Sequence, residues 1–215
     1  VEVWDESARD FVLVDRKRFH DDYFSFLGQL EVGFVNKSWA DAFFISGSYS
    51  KVNKDLQTGS IQSKVYGMAE RKVDAWNISA RYLKQDFLIN DLKLNTSLSH
   101  TWDHSLTVDT AFRKYDWNGD YINSSRNEIT GRDRSLRHYK RPLTIIRTNL
   151  DYRFNNNHSL NLNYLLSRTG NDRYDEIDTE FEPSNDVLAK HILGLSYNQS
   201  FFNGKMDNTF FVKEY

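Results

Sequence analysis

Apolar and polar residues alternate along most of the chain, and this alternation predicts β-strands. In the clearest run, from Leu143 to Phe154, one set of alternate side chains is apolar apart from two threonines, while the other is mainly Arg, Asn and Asp. Helical spacing fits none of these segments well, so the sequence predicts an all-β fold. Runs of this kind predict eight strands, near residues 23–35, 39–52, 75–83, 92–102, 143–154, 159–168, 188–201 and 206–215.

The connections between the predicted strands alternate strictly between short and long. The short ones are rich in turn residues and lie at residues 36–38, 85–91, 155–158 and 202–205. Several are too short for a crossover, which predicts antiparallel pairing. The long ones lie at residues 53–74, 103–142 and 169–187. Outer-membrane barrels alternate in this way, with short periplasmic turns and long extracellular loops.

The residues between the apolar positions favour a membrane barrel over a soluble sandwich. They are mostly Asn, Ser and Gly with scattered charges, which suits the inside of a wide, water-filled or plugged barrel. Aromatic residues make up 15% of the chain, and several lie near strand ends, as in an interfacial girdle: Tyr152, Phe154, Phe201 and Phe202. No run of eighteen apolar residues predicts a transmembrane helix. A soluble all-β sandwich stays open as an alternative.

The order of short and long connections places both chain ends on one side. If the short turns are periplasmic, both ends point outside, whereas a complete eight-stranded barrel normally has them in the periplasm. The chain ends on an aromatic residue, as complete outer-membrane proteins do, but Lys213 and Thr209 break the apolar pattern expected before it. We therefore expect residues 1–215 to form a partial barrel without a plug domain, whose open edges pair with strands of a larger parent protein.

Charge, cysteine content and motifs argue against several classes of function. The net charge is −2, which gives no electrostatic argument for a nucleic-acid partner. The chain has no Cys, so disulfides, thiolate chemistry and cysteine metal sites are excluded. No nucleophile–base arrangement, paired-carboxylate motif or Gly-rich phosphate loop stands out. We therefore expect neither enzyme activity nor a cofactor.

Two features resemble metal-binding sites. His100 and His104 could approach each other across a strand end, but rim histidines of barrels are commonly interfacial and no carboxylate–histidine spacing recurs. The segment 116–120 resembles a calcium loop, although Tyr121 and Asn127 occupy the places where an EF-hand needs Gly and Glu. We therefore predict no metal site, with a looser calcium site in this loop left open.

The long connection 103–142 is the best candidate for contact with a ligand. Aromatic side chains stack on sugars or planar chelates, and Arg side chains bind carboxylates or phosphates. The alternative is that these residues engage lipopolysaccharide phosphates or keep the loop soluble. The acidic segment 174–182 either pairs with this basic loop or is solvated. The candidate ligand-binding residues are Tyr115, Trp117, Tyr121, Arg126, Arg132, Arg134 and Arg137.

Much of the chain resembles TonB-dependent outer-membrane receptors of the Bacteroidetes type. The runs that carry the resemblance are YKRPLTIIRTNLDYRF, NNNHSLNLNYLLSRTGNDRYDEIDTEFEPSNDVLAKHILGLSYNQ and FFNGKMDNTFFVKEY, which together span residues 139–215. The segments LQTGSIQSKVYGMAERK and YDWNGDYINSSRNEITGRD are similar to loops of the same group. Barrel sequence is diffuse and contains no invariant catalytic motif.

The resemblance implies a transmembrane barrel of roughly twenty-two strands that encloses a globular plug. It also implies energy from the periplasmic partner TonB and location in the outer membrane of a Gram-negative bacterium. The expected function is active import of an iron chelate, haem, cobalamin or a glycan, with this chain supplying barrel wall and extracellular loops. A non-transporting structural or adhesive barrel, or a soluble extracellular β-domain that binds a partner, are the alternatives.

Overall fold

The structure is a computed structural model and describes residues 1–5, 7–202 and 205–215. The regular elements in these residues are all β-strands, which confirms the prediction of an all-β fold. No helix that could span a membrane occurs among the described residues. The strands are β1 (Glu2–Asp5), β2 (Asp10–Leu13), β3 (Tyr23–Lys37), β4 (Ala40–Asp55), β5 (Glu70–Lys84), β6 (Leu92–Asp109), β7 (Arg113–Tyr115), β8 (Tyr121–Asn123), β9 (Ser135–Lys140), β10 (Leu143–Asn155), β11 (His158–Asp175), β12 (Ser184–Phe201) and β13 (Met206–Glu214).

One large antiparallel sheet contains all the long strands, each paired with its neighbours along the chain. The order across the sheet is β3, β4, β5, β6, β10, β11, β12 and β13, so the prediction of antiparallel pairing is confirmed. Within the described residues no pairing joins β3 to β13, and the sheet therefore has two open edges. The pairs β1–β2 and β7–β8 form two small hairpins outside this sheet.

Strands β9 and β10 continue each other. Lys140 pairs with Asp172 and Leu143 pairs with Thr169, so the register against β11 is the same on both sides of the interruption. The interruption falls at Pro142, which has no backbone N–H to contribute to the ladder. The Pro142 carbonyl still accepts the N–H of Gly170 at 2.8 Å, and these segments therefore act as one long strand.

The short connections lie at one end of the sheet, termed the turn end, and the long ones lie at the opposite loop end. Two-residue turns join Lys37 to Ala40 and Asn155 to His158. Residues 85–91 join β5 to β6, as the sequence predicts. The predicted turn at 202–205 includes residues 203 and 204, which lie outside the described residues.

The strands extend further toward the loop end than the alternating pattern predicts. The predicted connections 53–74, 103–142 and 169–187 therefore shrink to 56–69, 110–134 and 176–183. The extensions carry more charged residues than the central strands, as in Glu70–Asp74, where Val73 is the only apolar residue, although Leu106 and Val108 continue the alternation on β6. The period-two signal is therefore weaker in these extensions than in the central strands. It also does not detect β7, β8 and β9 inside the connection 103–142.

The sheet has one apolar face that continues across all the long strands. Ile146, for example, lies between Leu98 on β6 and Leu166 on β11, and the same alternation holds from edge to edge. Aromatic and aliphatic side chains dominate this face because the pairing register brings the apolar positions of neighbouring strands opposite each other. The apolar face includes Leu30, Val32, Phe34, Phe43, Ile45, Tyr49, Trp76, Ile78, Tyr82, Leu94, Leu98, Trp102, Leu150, Leu162, Leu193, Leu195, Phe210 and Val212.

The opposite face is mainly polar and hydrogen-bonded from strand to strand, and its larger apolar residues include Phe44, Ile145, Leu165, Ile192 and Phe211. Asn149 Nδ2 donates to Asn163 Oδ1 at 2.7 Å, and Asn77 Nδ2 donates to Thr101 Oγ1 at 2.7 Å. Small amide and hydroxyl groups of this kind recur along the central strands. They give the sheet a hydrophilic face with short side chains.

The large sheet is largely uncovered on both faces. The chain has an accessible surface of 15107 Å², whereas a compact monomer of its mass exposes only about 10,300 Å². The sheet contributes little to the buried apolar core, since the buried apolar residues are Ala40, Val65, Tyr66, Ala69 and Trp117. Apolar side chains of the sheet stay exposed, as with Leu30 at 70% and Trp76 at 56%. Such a sheet needs an apolar environment on one face.

Candidate functional site

The long connections at the loop end pack together into a folded unit. This loop cluster comprises residues 15–22, 56–69, 110–134 and 176–183. Gln57, which is buried, joins two of these segments. Its Oε1 accepts the backbone N–H groups of Phe19 at 2.9 Å and His20 at 2.8 Å, and its Nε2 donates to the carbonyl of Tyr66 at 3.2 Å. The cluster therefore has a fixed arrangement of its own.

Two buried carboxylates fasten the loop cluster to the end of β6. Asp109 accepts the backbone N–H groups of Glu128, Ile129 and Thr130 at 2.9, 3.0 and 3.2 Å. Glu128 in turn accepts the three N–H groups of residues 67–69 at 3.0–3.2 Å. Burial raises the pKa of both carboxyls, and the backbone N–H donors offset this only in part.

A third carboxylate, Asp175, fastens the connection 176–183. Its side chain is fully buried and accepts the N–H groups of Leu136 at 3.0 Å and Asp178 at 2.9 Å. Burial alone would raise the pKa of Asp175, but a hydrogen bond from Ser135 and several from backbone N–H groups outweigh it and lower the pKa. Arg137 lies 3.4 Å from the Asp175 carboxylate and 3.6 Å from that of Asp178.

Three of the predicted ligand-binding residues, Tyr115, Trp117 and Arg137, contact neighbouring side chains or backbone of the chain itself. Trp117 is buried, and its Nε1 donates to the Gln62 carbonyl at 3.1 Å. The Tyr115 ring packs 6.0 Å from the ring of Phe19. Arg137 is held by its two aspartates and stacks on Phe181 at 4.2 Å. Trp117 and Arg137 therefore have structural roles, whereas Tyr115 is half-buried and also lines a cavity between the connections 56–69 and 110–134.

The other predicted residues are exposed, and two of them meet in one cleft. Arg126 and Arg132 line a cleft of about 700 Å³, which Asp178 and Glu180 also line. The acidic segment thus faces the basic loop, which is one of the two arrangements that the sequence left open. Arg134 stacks over Phe112, another lining residue, at 5.0 Å. The remaining candidate is Tyr121, whose ring centroid lies 4.1 Å from the guanidinium carbon of Arg113. Tyr121 does not line this cleft.

A second cavity, of about 330 Å³, lies between the connections 56–69 and 110–134. Arg126 lines both cavities, and Lys64, Arg113 and Lys114 bring further positive charge to this one. Lys114 and Arg126 are exposed, whereas Lys64 Nζ already donates to the Ile129 carbonyl at 2.7 Å. The two cavities present cations, hydroxyls and aromatic edges to an anionic or hydroxyl-rich ligand.

Sequence reasoning missed several residues that line these cavities. Phe112, Arg113 and Lys114 adjoin the predicted Tyr115, so their position in the sequence was a usable signal. Lys64 belongs to a different connection, and only the folded loop cluster brings it to this cavity. No periodicity or motif in the sequence indicates that contact.

The structure does not bring His100 and His104 together. Both side chains lie on the same face of β6, four residues apart. His100 Nδ1 contacts Thr144 Oγ1 at 2.7 Å, while His104 contacts Asp74 and His138. In the described part of the chain no three His, Asp or Glu side chains are placed to hold a metal ion together. The calcium-like segment forms a local turn in which Asp116 Oδ1 accepts the N–H groups of residues 118 and 120.

Comparison of the chain with protein-family models, with curated proteins and with solved structures finds no significant match.

Proposed function

We propose that this chain forms part of the wall of an outer-membrane β-barrel that imports a nutrient with energy from TonB. One observation carries the proposal: an eight-strand antiparallel meander has one continuous apolar face and an opposite face that is mainly polar. A transmembrane barrel needs this division because lipid surrounds it and water or a plug fills it. Such a barrel lies in the outer membrane of a Gram-negative bacterium.

The aromatic residues of the apolar face support a membrane boundary at each end. Phe34, Phe43 and Tyr82 lie opposite one another near the turn end. Toward the loop end the ring centroids of Tyr49 and Trp76 lie 4.4 Å apart with the rings tilted by 34°, and Trp76 pairs with Trp102. Aromatic girdles of barrels occupy the two membrane interfaces in this way. On β6, residues 92–102 present the apolar face, a length in the range of about 9–11 residues that a tilted strand needs to cross a bilayer.

The open edges support a larger assembly. Unpaired N–H and C=O groups along β3 and β13 are too costly to expose to lipid, so further strands have to pair with them. We propose that the complete barrel has roughly twenty-two strands and that a plug domain contacts the polar face. The short asparagine and serine side chains of that face suit a hydrated contact with such a plug. The uncovered apolar face counts against the alternative of a soluble β-domain.

The loop cluster is the proposed ligand-binding element. In this orientation it lies on the extracellular side, and its clefts carry Arg126 and Arg132 beside Phe112. Iron chelates, haem, cobalamin and glycans all present acidic, hydroxyl or planar groups that such residues recognise. The fixed packing of the cluster favours binding because little ordering entropy is lost.

The orientation of the two faces can be tested by single-cysteine labelling, because the chain contains no other Cys. A fluorophore attached at Ile146→Cys or Leu162→Cys should be quenched by brominated lipids. At the neighbouring positions, Arg147→Cys and Asn163→Cys, it should stay unquenched and accessible to aqueous quenchers. Equal quenching on both faces would contradict the proposal. So would a chain that is a monodisperse monomer in buffer without detergent.

The import function needs the full-length parent protein. Replacing Arg126 and Arg132 together by Ala should lower ligand uptake at least tenfold while leaving barrel assembly intact. Lys93→Ala, on the polar face at the turn end, is the matched control and should leave uptake unchanged. Unaltered uptake in the double variant would remove these residues from the ligand site.

A further inference from the structure

Two histidines and two carboxylates form a continuous line on the apolar face, directly beyond the loop-end aromatic residues. His104 on β6 and His138 on β9 are at its centre, with His104 Nε2 2.9 Å from His138 Nδ1 and the ring planes 8° apart. Asp74 Oδ1 of β5 lies 3.2 Å from His104 Nδ1. Glu176 Oε2 lies 3.3 Å from the other ring nitrogen of His138, Nε2. The line therefore joins three strands to the first residue of the connection 176–183.

A count of protons shows what this line of contacts needs. An ionised carboxylate only accepts hydrogen bonds, and two ring nitrogens bond each other only when one of them carries a hydrogen. The three contacts therefore need three N–H groups, whereas two neutral imidazoles supply two. In the neutral pair one contact lacks its proton, and two lone pairs face each other there. One added proton completes all three contacts.

The contact with Glu176 is the one that the neutral pair loses most easily. The Glu176 side chain is 62% exposed and belongs to a connection, so its carboxylate can turn to water. Asp74 is less exposed and is held within β5. The Tyr174 ring stacks on that of His138 at 4.6 Å, with the planes 5° apart, and keeps the imidazole in its orientation. An added proton therefore attracts Glu176 to a ring that is already in place.

The charges around the histidine pair leave room for one more positive charge. Lys140 pairs with His104 across the strands, but its ammonium group lies over the Tyr174 ring at 4.9 Å. The charged and titratable groups on this face of the neighbouring elements are Lys51 of β4, Glu70, Lys72 and Asp74 of β5, Lys140 of β9, Asp172 and Tyr174 of β11, and Glu176. Carboxylates outnumber ammonium groups in this set, so an added proton balances the local charge.

We propose that the His104–His138 pair takes up one added proton in mildly acidic solution and thereby fastens the connection 176–183 to β6 and β9. Histidine changes its charge between about pH 5 and 8. Asp178 and Glu180 of the same connection line the cleft of about 700 Å³, so the contact is a pH-sensitive support for this part of the cleft. Its effect on a ligand rests on the proposed function, whereas the contact itself does not.

Nitrogen NMR of the histidine-labelled chain in detergent micelles, without ligand, counts the protons on the pair. A ring nitrogen with a lone pair and one with a hydrogen resonate at different chemical shifts. Between pH 8 and pH 5 we expect one added proton for the pair, and His104→Gln and His138→Gln identify the signals. Two rings that both stay neutral at pH 5 would overturn the proposal. So would two protons taken up together, because two imidazolium ions cannot hydrogen-bond to each other.

Hydrogen exchange at amides 176–178 measures the fastening. Corrected for intrinsic exchange, it should slow by about two- to fivefold from pH 7.5 to pH 5.5, the effect of an exposed ion pair. The other support of this segment is Asp175, whose pKa its hydrogen bonds lower, so its carboxylate stays ionised over this range. His138→Gln should abolish the pH dependence. An unchanged pH dependence in this variant would overturn the proposal.

Two further variants separate the added proton from the contact itself. Glu176→Gln should give the same exchange at both pH values, because a side-chain amide donates to a neutral ring and accepts from a protonated one. His191→Gln is the matched control, since His191 also lies on the apolar face but contacts Tyr164, and it should keep the pH dependence of the parent chain. None of these outcomes affects the cysteine labelling of the two faces, so the pH-sensitive contact and the proposed barrel are tested separately.

Discussion

The Asp109 carboxylate joins the loop cluster to β6 through three hydrogen bonds. The Asp109→Asn variant tests how much these hydrogen bonds contribute to the local opening free energy of the cluster. The carboxylate uses one oxygen for the N–H of Glu128 and the other for those of Ile129 and Thr130. Asparagine has only one side-chain oxygen, so its NH₂ group takes the place of the other and faces a backbone N–H. Two donors, the NH₂ group and that backbone N–H, are then left without an acceptor. Each unsatisfied buried donor costs about 1–3 kcal/mol.

Removing the charge offsets part of this cost, because burial raises the pKa of Asp109 and so disfavours the ionised form. We therefore expect a net loss of about 2 kcal/mol in the local opening free energy, which corresponds to roughly 30-fold faster hydrogen exchange. The loss should appear at amides 128–130. It should extend to amides 67–69, since the Glu128 side chain that accepts them is positioned by the same segment.

Hydrogen exchange followed by mass spectrometry resolves these segments. Asp116→Asn is the matched control, because Asp116 also accepts two backbone N–H groups but is exposed, so only amides 118 and 120 should change. Unchanged protection at 128–130 would refute the anchoring role. A uniform loss across the amides of the sheet would instead mean that the cluster and the sheet unfold as one unit.

Further predictions concern pH, an ion pair and a close backbone contact. The pKa values of Asp109 and Glu128 are higher in the folded chain than in the unfolded chain, so the folded chain binds protons more tightly at these two groups. Their protonation therefore stabilises the fold. This stabilisation is fully present below the pKa of an unfolded-state carboxyl group and is lost as pH rises through the folded-state pKa values. Protection of amides 67–69, corrected for intrinsic exchange, should therefore increase as pH falls from 7 toward 4.5, and Glu128→Gln should flatten this dependence. Arg137→Ala leaves the buried Asp175 without its cation and should cost about 2–3 kcal/mol at residues 176–183, whereas Arg134→Ala, which stacks on Phe112 without an ion pair, should leave their exchange unchanged. A Cβ at Gly33 would lie 2.5 Å from the Phe43 carbonyl oxygen, so Gly33→Ala should lower stability to urea by about 1–3 kcal/mol, while Gly47→Ala, whose nearest atom is 3.9 Å away, should have little effect.

The sequence predicts the sheet well because a one-sided apolar face leaves a period-two signal. The run from Leu143 to Phe154 matches β10 within a residue. The signal weakens where charged residues interrupt the apolar positions, and β5 therefore begins at Glu70, before the predicted start at residue 75. Backbone hydrogen bonds pair such an extension with its neighbours, and hydrogen-bond partners leave no periodic trace in the sequence.

The candidate site is less predictable for a related reason. Residue type alone makes Trp117 and Arg126 equally good ligand contacts, but one is buried against Gln62 and the other lines a cleft. That distinction depends on contacts between connections far apart in the chain. The His104–His138 contact is another example, since 34 residues separate the two side chains and no motif joins them.

The chain of carboxylates from Asp109 to Glu128 makes order within the loop cluster sequential. Residues 128–130 take their position from the last residue of a strand, and residues 67–69 take theirs from Glu128. A molecule that enters the cavity between the connections 56–69 and 110–134 and displaces residues 67–69 would therefore act on Glu128, and through residues 128–130 on Asp109 at the end of β6. A substitution at residue 109 is therefore expected to disturb residues 128–130 and, through Glu128, residues 67–69 as well.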